Sequence, residues 1–340
     1  MKIVMVTGGM GFIGSNFIRY ILKLNQDFKV INVDKLTYAG NPENLENFDT
    51  RYKDTYKFYK TDICDFDPID NIVNKESVNY IINFAAESHV DRSIDNPTIF
   101  CETNIFGTQT LLNIAKKNMI KKYIQISTDE VYGSLNFNEP PFTEKTPLSP
   151  NSPYSASKAS ADLIVNAYYE TFELPINITR CSNNYGPFQF PEKMIPLMLN
   201  NAINNKELPI YGEGINVRDW IYVEDHCAAI LKVLLEGKVG EIYNIGGDSE
   251  MKNIDLVKKL LNLLNKPESL ITFVKDRLGH DLRYAINHDK ITKELKWRPT
   301  VKFEEGLKAT VQWYLDNKDW LNNVITKEYL KYYEKHYSNK

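Results

Sequence analysis

The sequence predicts an α/β protein: a doubly wound parallel sheet followed by a smaller, mixed α/β C-terminal unit. Three observations carry this. Short apolar runs alternate with helix-length amphipathic segments through the first half of the chain. A glycine-rich turn directly follows the first apolar run. Near residue 181 the composition changes to Asn-, Pro- and Gly-rich segments that begin a second region.

Residues 3–6, 30–33, 57–59, 80–84 and 123–126 each read as a buried strand. Between them lie helix-length stretches such as 15–24 and 99–117. The latter carries Ile105, Leu111, Leu112, Ala115 and Met119 on roughly one face. Alternation of this kind implies a parallel sheet with both faces covered. Residues 183–196, with Asn183, Asn184, Gly186, Pro187, Pro191 and Pro196, read as irregular structure. Residues 240–247 again read as a strand and turn, and 254–264 and 303–315 as helices polar on one face. No flexible linker separates the two parts, so a tight unit with a cleft is expected.

The 340 residues suffice for a sizeable core, and 43% apolar with 25% charged residues is the mixture of a soluble globular protein. A net charge of -3 gives no reason to expect nucleic acid or membrane as partner. The four cysteines are widely spaced, which argues against a metal site and a disulfide framework and for buried or half-buried thiols in a reducing compartment. The N-terminus lacks the pattern of a secretion signal, and no run reaches the length of a membrane span. A cytoplasmic location is expected.

In residues 7–14, TGGMGFIG, Gly8, Gly11 and Gly14 are spaced GxxGxxG. Glycine lets the backbone turn tightly and approach a pyrophosphate, and the following helix offers free N–H groups and the positive end of its dipole. Such a turn after the first strand is the mark of a Rossmann-type dinucleotide site. Asp34 closes the second strand 20 residues after Gly14, where a carboxylate binds the adenosine ribose and repels a 2′-phosphate. This favours NAD over NADP.

Tyr154 and Lys158 form a YxxxK motif, which a helix places on one face. The Lys158 ammonium is expected to lower the Tyr154 pKa from about 10, making the phenol a base for a sugar hydroxyl. Thr128, Asp129 and Glu130 follow the fifth predicted strand, at the sheet edge where such folds bind ligands. Adjacent carboxyl groups held together push their pKa values apart, as an acid and a base require.

Together these motifs resemble the extended short-chain dehydrogenase/reductase family acting on nucleotide sugars. Within it the chain resembles the dTDP-glucose 4,6-dehydratase family, through AAESHVDRS at 85–93, STDEVYG at 127–133, SPYSASKAS at 152–160, RCSNNYGPFQFPEKMIPLM at 180–198, RDWIYVEDHC at 218–227 and DRLGHDLRYAI at 276–286. The Thr–Asp–Glu triplet discriminates: related epimerases generally lack the acidic pair. Three departures are Met10 inside the glycine motif, Leu278 where proline is common, and Asn287 where aspartate is usual.

The resemblance implies a Rossmann domain over 1–180, with 217–245 returning to it, and a smaller nucleotide-sugar-binding substrate domain over 181–340. It implies oxidation of dTDP-glucose at carbon-4, elimination of water across carbons 5 and 6, and hydride return to carbon-6, with NAD tightly bound and regenerated each turnover. Tyr154 would take the 4-hydroxyl proton beside Thr128 and Lys158. Glu130 would take the proton from carbon-5, and protonated Asp129 would serve the leaving 6-hydroxyl. Cofactor contacts carried over are Gly8, Gly11, Phe12, Ile13, Gly14, Asp34, Lys35, Leu36, Thr37, Asp62, Ile63, Phe84, Ala85, Ala86, Glu87, Ser88, Thr103, Tyr154, Lys158 and Asn184. Substrate contacts are Ser88, Thr128, Asn183, Lys193, Met194, Pro209, Tyr211, Arg218, Asn253, Asp276, Arg277 and His280. His89 and His226 receive no chemical role. No metal is expected. A homodimer through helices near 99–117 and 155–172 and a place in deoxysugar (for instance rhamnose) biosynthesis are also implied. The alternatives are a 4,6-dehydratase or 4-epimerase acting on a UDP- or GDP-sugar, and a non-catalytic NAD-binding sensor. The last predicts loss of Tyr154, Lys158 or Glu130, and all three are present.

Overall fold

The computed structural model of the chain describes residues 1–24 and 27–325, together with Tyr329 and Tyr333. The expected 181–340 region therefore ends in residues (326–328, 330–332 and 334–340) that lie outside the described ones. Along the chain the strands are β1 (Lys2–Thr7), β2 (Phe28–Asp34), β3 (Tyr56–Lys60), β4 (Tyr80–Asn83), β5 (Lys122–Thr128), β6 (Ile176–Cys181), β7 (Asn183–Tyr185), β8 (Leu208–Tyr211), β9 (Val217–Tyr222), β10 (Ile242–Ile245), β11 (Glu250–Lys252) and β12 (Ile271–Val274).

Seven of these form one sheet in the order β10-β6-β5-β4-β1-β2-β3, with every pairing parallel. Side chains alternate between its faces. Val4 and Val6 of β1 join the core that packs under helices Phe12–Lys23 and Val223–Glu236. Met5, between them, joins the opposite core under helices Phe66–Glu76, Thr108–Lys117 and Pro153–Phe172. Chain direction across the sheet reverses between β1 and β4, so a crevice opens at their carboxyl ends.

The remaining strands make two small sheets, β11-β9-β7 and β12-β8. Their core is built from helices Met194–Ile203, Asn253–Leu263, Phe303–Asp316 and Lys318–Val324, through Leu199, Leu256, Leu260, Leu307 and Trp320. The structure departs here from the irregular reading of residues 183–196. Asn183–Tyr185 extends the chain as a strand beside Trp220–Tyr222, because β9 supplies backbone partners that a local sequence window does not contain.

The expected 99–117 helix is more complex. A short helix, Pro97–Phe100, runs into π-helical turns over Cys101–Gly107 and then into Thr108–Lys117. Met119 does not share its apolar face. It lies beyond the helix end at φ 49° and is 87% exposed, while Leu111, Leu112, Ile114 and Ala115 are buried. The wider π turns shift the register that a constant period assumes. The cysteines are all free, but Cys101 is exposed rather than buried, because it sits on the outer side of those turns. Among the described residues, no helix is long and apolar enough to cross a membrane.

Candidate active site

The glycine turn forms the floor of the crevice. Gly8 has φ +67°, and a Cβ there would lie 2.6 Å from the Ala85 backbone nitrogen, so the β1 and β4 ends approach as closely as they do only with glycine. A Cβ on Gly14 would meet Gly8 O at 2.3 Å, whereas one on Gly11 would have only Gly8 O, at 3.3 Å. Gly11 is thus bare toward the cleft, at the N-cap of helix Phe12–Lys23, with no side-chain cap on its amides. Asp34 is buried at the cleft wall. Its Oδ2 accepts from Met10 N (2.9 Å) and its Oδ1 from Leu36 N (2.7 Å). Burial pushes its pKa up, and the two amides oppose this. A bare glycine cradle, an open helix N-terminus and a fixed carboxylate fit a diphosphate joined to a ribose, and so fit NAD.

Of the expected cofactor contacts, all but Leu36 line this cleft. Leu36 turns away at φ 59° into the core and contributes its amide to Asp34 instead. Lys35 pairs with Asp62 at 2.7 Å. The π turns have a visible consequence here. They carry Thr103 to the cleft and Asn104 beneath it, where Asn104 bonds both backbone groups of Glu87 and the Ser157 hydroxyl.

At the inner end of the cleft, β5 delivers Thr128 to the base of a tight turn, and helix Pro153–Phe172 presents Tyr154 and Lys158. Ser152 and Ser155 form a capping box on this helix, with Pro153 in its first turn, which fixes where it begins. The Lys158 ammonium donates to Ile126 O at 2.7 Å. The expected lowering of the Tyr154 pKa is not what this environment produces. Burial raises it well above 10, with further increments from Glu130 and Cys181, and burial also pulls Lys158 down. A dry pocket disfavours both charges, and that outweighs the helical spacing.

Burial raises both acids, against different surroundings. Asp129 is 1% exposed, and burial, then the Glu130 and Asp219 charges, hold its pKa well above the carboxylate range. Glu130 is also raised by burial, but Lys193, Arg218 and Arg277 oppose this. Glu130 faces both the cofactor cleft and its neighbouring pocket. Asp129 lies behind that wall, its Oδ1 bonded by Thr128 at 3.3 Å and its Oδ2 buried without a hydrogen-bond partner.

The second pocket opens on the small-sheet side. Asn183, Lys193, Met194, Pro209, Tyr211, Arg218, Asn253, Arg277 and His280 line it, while Ser88 and Thr128 face the cofactor cleft. Asp276 does not line it. Its carboxylate is half exposed and instead bonds His280 Nδ1 at 2.6 Å and the Arg277 amide at 2.8 Å. Lys193 donates to Ser88 O at 2.5 Å. Arg218 donates to the carbonyls of Val217 and Asp281, stacks on Tyr284 at 4.2 Å and remains open to the pocket. Leu278, at the departure from the common proline, is 72% exposed. His89 and His226 are fully buried and kept neutral by burial. His89 contacts Glu192 O (3.2 Å), and His226 orients Asn184 through Oδ1 (2.8 Å).

Sequence reasoning missed Glu192, Asp91 and Arg92. Glu192 is buried between the two pockets, where Arg92 (3.0 Å) and Tyr38 (2.9 Å) bond its carboxylate. Each lies inside a quoted motif, but nothing in local spacing announces an ion pair across 100 residues.

A parallel sheet whose β5 edge faces a Tyr–Lys helix across a glycine cradle defines an extended short-chain dehydrogenase/reductase. The family described as GDP-mannose 4,6 dehydratase matches residues 5–310. A dTDP-glucose 4,6-dehydratase of Shigella flexneri is 49% identical over 361 aligned positions, covering 99% of each chain. A dTDP-glucose 4,6-dehydratase of Bacillus anthracis, solved in complex with NAD, superposes with a TM-score of 0.89 at 49% identity, covering 95% of this chain and 100% of that one. One of Streptomyces venezuelae, also with NAD bound, gives 0.90 at 46%, covering 95% and 99%. The chain belongs to the dTDP-glucose 4,6-dehydratase family.

Proposed function

We propose that the chain converts dTDP-glucose to dTDP-4-keto-6-deoxy-glucose. The carrying observation is the Asp129–Glu130 pair, two adjacent buried carboxyl groups beside Tyr154 at the end of β5, with cations opposing burial at Glu130 and carboxylates adding to it at Asp129. Elimination of water needs an acid and a base at once, whereas a 4-epimerase needs neither.

NAD, when bound, supplies a reversible hydride acceptor for carbon-4 and a donor for carbon-6. Tyr154 accepts the 4-hydroxyl proton, and Lys158 balances the resulting phenolate. The new 4-ketone acidifies the carbon-5 proton, which the Glu130 carboxylate removes and returns to carbon-5 when hydride reaches carbon-6. Asp129, protonated behind Thr128, provides the proton for the departing 6-hydroxyl. Lys193, Arg218 and Arg277 form the cationic side of the second pocket, with the His280 imidazole beside them, and suit a nucleoside diphosphate.

On this reading residues 1–180, joined by 217–245, hold the cofactor, and residues from 181 onward hold the nucleotide. A homodimer is supported by Phe106, Leu163 and Phe172, which are 59%, 62% and 47% exposed on neighbouring helical surfaces. Four free thiols suit the reducing cytoplasm.

The test is incubation of purified protein with dTDP-glucose, without added cofactor, followed by mass spectrometry. Loss of one water with no net reduced nicotinamide is expected. An unchanged mass, with NAD added, overturns the reading and directs the assay to UDP- and GDP-sugars.

A further inference from the structure

The helix that carries Tyr154 and Lys158 brings a third ionisable residue to the same face, Asp162, one more turn along. Asp162 is 1% exposed. Its Oδ2 accepts from Ser127 Oγ (3.0 Å) and from Arg180 Nε (2.9 Å), and its Oδ1 is buried with no hydrogen bond. Arg180 continues the line. Its Nη1 donates to Tyr132 Oη (2.9 Å), which donates to Asn244 Oδ1 (2.8 Å), and its guanidinium lies 4.8 Å from the Tyr132 ring. The chain of contacts therefore crosses β5, β6 and β10 beneath the active site.

We propose that Asp162 is a positioning residue: its carboxylate supplies the anion that keeps the buried Lys158 ammonium charged, and through Ser127 it fixes the strand end that carries Thr128. This deepens the dehydratase reading and rests on it. The charge count supports it. Lys158 and Arg180 are two buried cations, and Asp162, ion-paired with Arg180 and one helical turn from Lys158, is the anion beside them, so these three groups carry +1 while Tyr154 is neutral. It becomes neutral when Tyr154 gives up its proton. The groups facing Lys158 are Tyr154 and Asp162 on its own helix, the Ile126 carbonyl of β5, Cys181 of β6 and, beyond Tyr154, Glu130. Burial acts against the ammonium, and Asp162 is the largest influence in its favour. Arg180 alone does not account for the geometry, since it engages one carboxylate oxygen and leaves the other in a dry interior.

The experiment compares the wild type, Asp162→Asn, Asp162→Glu and the double variant Asp162→Asn/Arg180→Met, which removes both charges and so tolerates the loss in the core. Two quantities are read: kcat and KM for dTDP-glucose across neutral to alkaline pH, and ionisation of Tyr154, taken as the alkaline ultraviolet absorbance of each protein minus that of its Tyr154→Phe form. Asp162→Asn is expected to lower kcat about tenfold with KM within about twofold, because the loss is confined to the chemical step. Its alkaline limb moves toward neutrality as Lys158 deprotonates earlier, and Tyr154 ionises at higher pH. Asp162→Glu recovers part of each shift. The double variant, whose charge count returns to that of the wild type, regains thermal stability and part of each shift. An Asp162→Asn protein with lowered stability and unmoved profiles reduces Asp162 to a structural ion pair and overturns the proposal. A wild type that leaves dTDP-glucose unchanged strikes the dehydratase reading instead, and the Tyr154 titration still decides the role of Asp162.

Discussion

Asp91 accepts a hydrogen bond from Arg277 Nη2 at 3.1 Å and lies 2.7 Å from its Nε in an ion pair, across 186 residues of sequence. Tyr211 donates a second hydrogen bond at 3.2 Å. Asp91 stands in the loop and short helix after β4, and Arg277 in the segment that crosses the second pocket. One buried carboxylate thus fastens the proposed nucleotide side to the cofactor side. Asp91→Asn keeps the shape and removes the charge. It should lower stability by about 2 kcal/mol, the scale of hydrogen bonds to a charged group, read as a shift of the urea midpoint. KM for dTDP-glucose should rise several-fold with kcat less affected, because the loop that presents Arg277 loses its anchor.

Amide substitution at Glu130 and at Asp129 should each reduce dehydration, for different reasons. Glu130→Gln removes the base for carbon-5 and should reduce dehydration by about 10²–10⁴-fold. The oxidation at carbon-4 does not require Glu130, so nicotinamide absorbance should still rise when substrate is added. Quenched-flow mass spectrometry with parallel absorbance distinguishes this from a general loss of function.

Asp129 carries a stability penalty that its amide lacks. Its folded pKa is well above 3.8, so the native state binds the extra proton, and stability falls as pH rises from the unfolded value through the folded one. Asp129→Asn should therefore raise the melting temperature at neutral pH and flatten that part of the pH–stability curve, while dehydration collapses. A lowered melting temperature at neutral pH would contradict the assignment of a protonated acid.

Gly8→Ala places a methyl group 2.6 Å from the Ala85 amide nitrogen at φ +67°. The left-handed backbone alone costs roughly 1–2 kcal/mol, and the contact forces β1 and β4 apart where the diphosphate would lie. The purified variant should carry little NAD, measured by absorbance after heat release.

Leu163 is 62% exposed on the helix that also carries Tyr154. If two copies pair on this face, Leu163→Glu should shift the wild-type dimer to a monomer in light scattering. An unchanged mass would move the interface elsewhere.

Much of this site was legible in short spacings. The glycine turn, Asp34 and the Tyr154–Lys158 pair are local patterns whose geometry a strand–turn–helix or one helical turn fixes. What escaped depends on distant partners. The 183–185 strand exists because β9 lies beside it, and Met119 left the predicted face because the helix ends at Lys117, before it. Tyr154 was expected to be acidified by Lys158, yet dryness, a property of the whole fold around it, wins in the structure. Glu192 and Asp162 look like ordinary acids in the sequence, and only the packing of β6 and the loop after β4 brings Arg180 and Arg92 to them.

One of the two edge strands of the large sheet, β10, is also the last of its strands to leave the ribosome. Three strands of the smaller sheets and helix Val223–Glu236 are synthesised between β6 and β10. Until then β6 offers an open row of backbone donors and acceptors, the kind of edge that recruits strands from other chains. Neither half can therefore mature on its own schedule during translation, and chains stalled or cut shortly before residue 242 should be the aggregation-prone species in a cell.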